Sequence, residues 1–561
     1  MKHRALLVVL VSIALLARAD DDGDNGSPAA TLPAQDLTPQ IVYQVLLAEI
    51  AGARGQMPLA AEVYGDLARS TRDPRIAQRA AEAALISGRY DQALAAARLW
   101  SELDPASGPA RQMIGGLLAA MNRADDLAAY LGQQLAAAGP AVGPQLLQLN
   151  RALSRFSDKL AMQALVDKVT EPYLGLPEAH FARAQAAHAA AKTDVARAEI
   201  DRALELRPDW EFAALVRAEM MPDGEAKTRV LGDFVAANPK APEARLAYAR
   251  SLVTDHRFAE ARQQFEQLLA DKPDAADMIY AVGVLSVQLH DFDQAEVQFK
   301  RLIELDFSES NSARLYLGQI AEERKQTDAA LKWYGQVTAG EQYLGARMRM
   351  AHVLSAGGRF DEARNCLQET AATSLVERSQ LLIAEAQLLR EAGHDEEAYG
   401  VLAEGLTRHP DQPDLLYEAA LSAEKIGKLD IVERDLRRLI ELKPDHAHAY
   451  NALGYSFADR NERLDEAQQL IDKALQLAPE DPFILDSKGW VLFRLGNAGS
   501  ALEVLKKAFA LRADPEIAAH VGEVLWALGR KDEARKTWED AAKADPGNQA
   551  LAATIKKYSK P

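Results

Sequence analysis

The residues best equipped for chemistry are thinly and irregularly spread along this chain. Eleven histidines are distributed over 561 residues, and only His446 and His448 stand close together. Side chains two apart on a helix point to different faces, so this pair makes a poor metal clamp. The sequence contains no His-Glu-x-x-His pair, no Walker-type phosphate loop and no Gly-x-Ser-x-Gly elbow. Its 82 acidic residues occur on every segment, as solvated helix faces require, so no carboxylate pair stands out as acid and base. The single cysteine, Cys366, rules out a disulfide within the chain. It reads as a small hydrophobe in a helical core, the alternative being a redox or intermolecular disulfide role. No catalytic, cofactor-binding or metal-binding constellation emerges, and the chain is not expected to be an enzyme.

Periodicity is the stronger signal. Ala249, Gly283, Gly318, Ala351, Ala386, Ala420, Gly454, Gly489 and Gly522 recur at intervals of 33 to 35 residues. A second ladder follows twelve or thirteen residues later: Ala261, Ala295, Ala330, Ala363, Ala398, Val432, Ala467, Ala501 and Ala534. Two small residues at a fixed offset imply two helices whose backbones approach where a bulky side chain would clash, at a cost of ~1–3 kcal/mol. Pro208, Pro239, Pro273, Pro410, Pro444, Pro479 and Pro546 mark the ends of second helices. No strand-like alternation persists, so the chain should be almost entirely helical.

The N-terminal half carries a weaker version of the pattern. Ala48, Ala81 and Gly115 keep the spacing, with Ala60 and Ala93 as partners, and Leu149 and Ala161 take the next slots. Gly139-Pro140 and Gly143-Pro144 are expected to break any helix there, making 139–176 a divergent repeat before Ala184 and Ala196 restore the register. The unit containing Met220 to Gly224 should have a shortened turn, because Ala218 and Ala249 are only 31 residues apart. Roughly 15 units result. Gln549 to Tyr558, with Lys556 and Lys557 on its outer side, reads as a capping helix.

The first residues resemble an export signal. Lys2-His3-Arg4 is a positive n-region, Ala5 to Leu16 a short apolar core, and Ala17-Arg18-Ala19 a small-x-small cleavage site. A misassigned start with a fortuitous apolar run is the alternative. The expected organisation is a signal peptide at 1–19, a flexible linker at 20–38, divergent repeats at 39–176, a regular array at 177–547 and a cap with tail at 548–561. The expected location is the bacterial periplasm. The formal net charge of −17 repels phosphate backbones, and no basic stripe with interleaved aromatics appears, so nucleic acid is not an expected partner.

A repeat of about 34 residues built from two helices resembles the tetratricopeptide family. The resemblance implies a right-handed α-solenoid superhelix. A narrower likeness rests on Leu37-Thr38-Pro39 with Leu46 to Ala51, Thr71 to Ala77, Ala97 to Trp100, Asn451 to Tyr455, Ile484 to Val491 and Asp514 to Trp526. These segments resemble the tetratricopeptide lipoproteins of proteobacterial envelopes. Among them is the adaptor that presents cell-wall hydrolases to a carboxyl-terminal processing protease. Members carry a lipidated cysteine after the signal peptide, and none stands there in this chain.

The resemblance also assigns inward-facing slots on the first helix of each unit. In the last three units these hold His448, Asn451, Tyr455 and Asp459; Phe483, Asp486, Trp490, Phe493 and Arg494; and Glu516, Glu523 and Trp526. Rigid rings beside polar orienters suit a peptide groove. Trp490 and Trp526 could equally pack between neighbouring helices, with the groove slightly favoured. The family's peptide-carboxylate clamp of Lys, Arg and Asn is not reproduced, and the groove carries Asp486, Glu516 and Glu523 instead, which favours basic or mixed-charge guests. Two functional readings follow. One is an adaptor joining a periplasmic protease or assembly enzyme to its substrates, associated with the outer membrane. The other is a scaffold for exopolysaccharide synthesis or secretion.

Overall fold

A computed structural model describes residues 33, 36–153, 158–222, 224–308, 310–338 and 340–558. The expected signal peptide and most of the expected linker lie outside the described residues. Among the described residues every regular element is a helix. They form two compact units, divided between Pro273 and Asp274.

In the first unit the helices are α1 Pro39–Ala53, α2 Met57–Thr71, α3 Pro74–Ile86, α4 Tyr90–Leu103, α5 Gly108–Ala120, α6 Ala124–Ala137 and α7 Val142–Ala152. They continue as α8 Lys159–Thr170, α9 Pro177–Ala189, α10 Thr193–Leu206, α11 Glu211–Glu219, α12 Glu225–Ala237, α13 Pro242–Thr254 and α14 Phe258–Asp271. The second unit begins with α15 Ala276–Gln288, α16 Phe292–Glu304, α17 Ser310–Glu323, α18 Thr327–Gly335, α19 Gln342–Ala356, α20 Phe360–Gln368, α21 Leu375–Glu391 and α22 Asp395–Arg408. It ends with α23 Pro413–Lys425, α24 Leu429–Leu442, α25 Ala447–Asp459, α26 Leu464–Leu477, α27 Pro482–Arg494, α28 Ala498–Leu511, α29 Pro515–Ala527, α30 Lys531–Ala544 and α31 Gln549–Tyr558. Each unit is thus a stack of helix pairs, an α-solenoid.

Local chemistry explains the boundaries. Pro39, Pro74, Pro177, Pro242, Pro413, Pro482 and Pro515 start first helices, where the missing N–H is unused and φ is already set. Each of the seven prolines read as stops lies two residues beyond a second helix. The intervening residue is driven extended by the ring, as Arg207 shows with φ −139° and ψ 85° before Pro208. Between the helices of a pair, one residue turns left-handed and the next N–H reaches back five residues. Gly88, for example, has φ +73°, and Arg89 N–H donates to the Ala84 carbonyl at 2.9 Å. Ala191, His256, His290 and Lys325 occupy the same turn slot at φ +56° to +58° without glycine's freedom.

The small-residue ladders mark close helix contacts. A methyl added to Gly283 would lie 2.8 Å from Phe299, one on Gly454 2.7 Å from Ile471, and one on Gly489 2.5 Å from Leu505. Gly318 faces Tyr334 and Gly522 faces Trp538 in the same way. Eight of the nine second-ladder residues are fully buried alanines, and Val432 is buried as well.

Two expectations change. Gly143-Pro144 does not interrupt a helix: it lies in the first turn of α7, where proline removes no intrahelical bond. The 31-residue unit is short in its first helix, because α11 has nine residues where α13 has thirteen, and the turn that follows is not contracted. The opening helix stands apart: Val42, Tyr43, Leu46 and Ile50 of α1 are exposed, with Leu37 just before them.

Candidate functional site

The expected groove residues fall on α25, α27 and α29, the first helices of three consecutive pairs in the second unit. Asp481 and Asp514 cap α27 and α29 by accepting backbone N–H bonds, which fixes how their side-chain stripes enter. Helical spacing then aligns Asn451 with Tyr455, Asp486 with Trp490, and Glu516 with His520 and Glu523.

The three stripes meet at His520. Its Nδ1 lies 2.8 and 3.0 Å from the two Asp486 carboxylate oxygens, and its Nε2 lies 3.4 Å from the Tyr455 hydroxyl. The Trp490 indole stacks on the imidazole, with centroids 4.3 Å apart and planes inclined by 24°. Burial alone would depress the basicity of His520. The Asp486 carboxylate, supported by Glu523 and Asp459, overrides it and holds the imidazole above its usual value. Burial pushes the Tyr455 phenol far up, reinforced by Asp459, Asp486, Glu516 and Glu424. Burial also raises Glu424 on α23, against the pull of Ser456 and Arg460.

These contacts sort the expected groove residues. His448, Asp459, Phe483 and Glu516 are exposed; Asn451, Tyr455, Phe493, Arg494 and Trp526 are half-buried; Asp486, Trp490 and Glu523 are buried. Trp490 is only 5% exposed, so it packs in the core against His520 and Phe493 instead of standing in a groove. Asp486 is neutralised by His520, and Glu523 accepts from Lys557 and Tyr558 of α31, each at 2.9 Å. The expectation of three free acids therefore reduces to Glu516, with Asp459 beside the site. Trp526 packs on Trp538 and Tyr558, with Lys531 and Arg535 over its ring. Arg512 lies over the exposed Phe483, its guanidinium carbon 4.9 Å from the ring centre. The Arg494 guanidinium donates to the Asp459 carbonyl at 3.0 Å.

Five buried polar atoms in this stretch, Asn451 Oδ1, Ser456 Oγ, Arg460 Nε, Trp490 Nε1 and Arg494 Nε, have no hydrogen-bond partner among the described residues. His520 was not read as a site residue. The signal that could have revealed it is its position 34 residues after Asp486, one repeat further on.

Elsewhere, the residues singled out are engaged locally. His446 Nδ1 accepts the Ala449 N–H at 3.1 Å and caps α25, so that nitrogen is not open for a ligand. Cys366 is buried among Ala351, Leu354 and Leu367, and burial pushes its thiol up. Among the described residues no helix is long and apolar enough to cross a membrane.

Stacked helix pairs carrying an aromatic and polar row define a helical-repeat scaffold for proteins or peptides. The tetratricopeptide repeat model matches residues 225–276, 249–286, 280–341, 417–482 and 487–549. A TPR repeat-containing protein of Pseudomonas aeruginosa is 33% identical over 485 residues, covering 86% of this chain and 82% of that protein. The chain belongs to the tetratricopeptide repeat family. Cellulose synthase operon protein C of Pseudomonas fluorescens is 25% identical over 354 residues, 52% of this chain. The chain spans only 27% of that relative's length. Among solved structures, the APC/C hetero-tetramer Cut9–Hcn1 is similar over 93% of this chain and 97% of that one, at 14% identity and a TM-score of 0.33.

Proposed function

We propose that this chain is a non-enzymatic adaptor of the bacterial envelope, bringing a periplasmic protease or assembly enzyme to its protein substrates. The observation that carries the reading is the presence of two chemically different solvent-facing patches, one in each unit. The α1 face offers Val42, Tyr43, Leu46 and Ile50 to solvent, with Glu49 as its one charge. The α25–α29 face offers the exposed His448, Phe483 and Glu516 beside the half-buried rings of Tyr455, Phe493 and Trp526. An adaptor needs two such faces, whereas a simple peptide receptor needs one. Export and outer-membrane association rest on the leader and on the resemblance to envelope lipoproteins. The acidic balance makes nucleic acid an unsuitable partner.

The experiment places a photo-crosslinking side chain at position 46 or 483 in living cells and identifies what each captures. A protease subunit at one position and a cell-wall hydrolase or other envelope protein at the other is the expected result. Capture of no protein at either position sinks the adaptor reading. A second reading, a scaffold for exopolysaccharide synthesis or secretion, is favoured by the likeness to cellulose synthase operon protein C. Its mark is capture of synthase or secretin components instead.

A further inference from the structure

The last helix does more than cover an apolar end. Within the pairs before it, α29 leans chiefly on the preceding second helix α28 and less on α27. α31 instead packs chiefly on α29 and less on α30, and its last turn lies on the stripe that holds Glu523 and Trp526. There Lys557 and Tyr558 both donate to one oxygen of Glu523. The Tyr558 ring lies 5.3 Å from Trp526 and stacks on Trp538 at 5.4 Å. A cap requires only an apolar inner face and a polar outer one. Two donors converging on one buried carboxylate, framed by two indoles, form a recognition site that the chain's own tail fills.

We propose that the Glu523–Trp526–Trp538 site is a docking site for a cationic–aromatic segment of a partner protein, a lysine followed by a tyrosine, and that α31 is its displaceable occupant. This rests on the reading of the chain as a protein-binding scaffold. The chemistry of the guest follows from Glu523, which is only 8% exposed. With α31 in place that carboxylate is covered by an ammonium and a phenol, so a segment that replaces the tail regains the same contacts only by bringing a cation or hydroxyl to it. The tail itself is weakly held. It has ten residues, below the ~12–15 needed for an isolated helix to persist. Leu551 is its one fully buried side chain, and the Lys557 side chain is 61% exposed.

The test uses the full chain and a labelled peptide with the sequence of Gln549–Tyr558, followed by fluorescence anisotropy. The tethered tail competes at an effective concentration on the order of mM, so the parent should bind the peptide weakly. Lys557→Ala with Tyr558→Ala loosens the tail and should tighten peptide binding by about tenfold or more. A further Glu523→Gln should abolish the gain, and a peptide with Glu and Ala at its last two positions should not bind. A folded double variant with no gain overturns the proposal, even if crosslinking at position 483 still captures a partner. If the double variant does not fold, hydrogen exchange in the parent decides. Amides of α31 opening about tenfold faster than those of α29 support a displaceable tail, and equal rates overturn it.

Discussion

Gly454→Ala and Gly115→Ala look like the same substitution at the same slot of two repeats, yet they should move stability in opposite directions. On Gly454 the new methyl would sit 2.7 Å from Ile471 Cγ1 and 3.0 Å from the Ala467 carbonyl oxygen. Relaxed carbon contacts lie near ~3.5–4.0 Å, so the shortfall at Ile471 is about 1 Å. Ile471 is fully buried and β-branched, so it has no other rotamer to retreat into. The carbonyl belongs to the backbone of α26, so relief requires the helix pair to spread. Such overpacking costs ~1–3 kcal/mol. Against it stands the ~0.5–1 kcal/mol that alanine gains over glycine inside a helix. Because a backbone carbonyl must move, the cost lies in the upper part of that range, ~2–3 kcal/mol, so the net loss is about 1–2.5 kcal/mol, or roughly 2–10 °C in Tm at ~2–4 °C per kcal/mol. A methyl on Gly115 meets nothing within 4 Å, so only the gain of ~0.5–1 kcal/mol remains there. Thermal and urea unfolding followed by far-UV circular dichroism measure both. A Gly454→Ala protein as stable as the parent refutes the close-contact reasoning.

Other outcomes follow from individual residues. His520 is held above 6.5 in the folded state, so its contribution is complete below the unfolded value and fades as pH rises through the folded one. The parent should therefore lose more stability than His520→Gln as pH rises from about 6.5, and parallel pH profiles contradict this. Glu433 is pulled down to about 2 by Arg463, with Arg437 assisting. Its largely solvated position limits the cost of Glu433→Gln to under ~1 kcal/mol, and an NMR titration of Glu433 near 4.5 contradicts the assignment. Lys325→Gly relieves a left-handed backbone at φ +58°, which should raise stability by ~0.5–1 kcal/mol in urea unfolding. Cys366, buried and with its thiol pushed up, should react with a disulfide reagent only as the protein unfolds; rapid labelling of the native chain excludes the core position.

Much of the fold was legible because its determinants are local or strictly periodic. The prolines state where second helices end, and the small residues state where paired helices touch. Gly283, Gly318, Gly454, Gly489 and Gly522 all face a large side chain of the partner helix. Gly115 shows the limit, since it keeps the spacing without the contact. A third ladder, the left-handed turn residue, was hidden because its occupants differ: Gly358 and Gly427 announce it, whereas His256, His290 and Lys325 do not. There the demand of the turn overrides residue preference. The shortened unit was visible as a spacing, but helix α11 and its turn could share 31 residues in several ways.

The candidate site was read less well, for one physical reason. Slot numbering says which side chains leave a helix on a given face, but not what meets them. In a repeat array the decisive neighbour lies about one period away. Asp486 is answered by His520 and Glu523 by Lys557, each 34 residues on. Arg364 pairs with Glu397 at 33 residues, and Arg494 reaches the Asp459 carbonyl at 35. Glu516 has Ala550 one period later, and it remains exposed. Asking of each slot what stands one repeat away would have removed Asp486 and Glu523 from the free acids. The same question would have kept Glu516, and it would have pointed to the tail of the chain as the occupant beside Trp526.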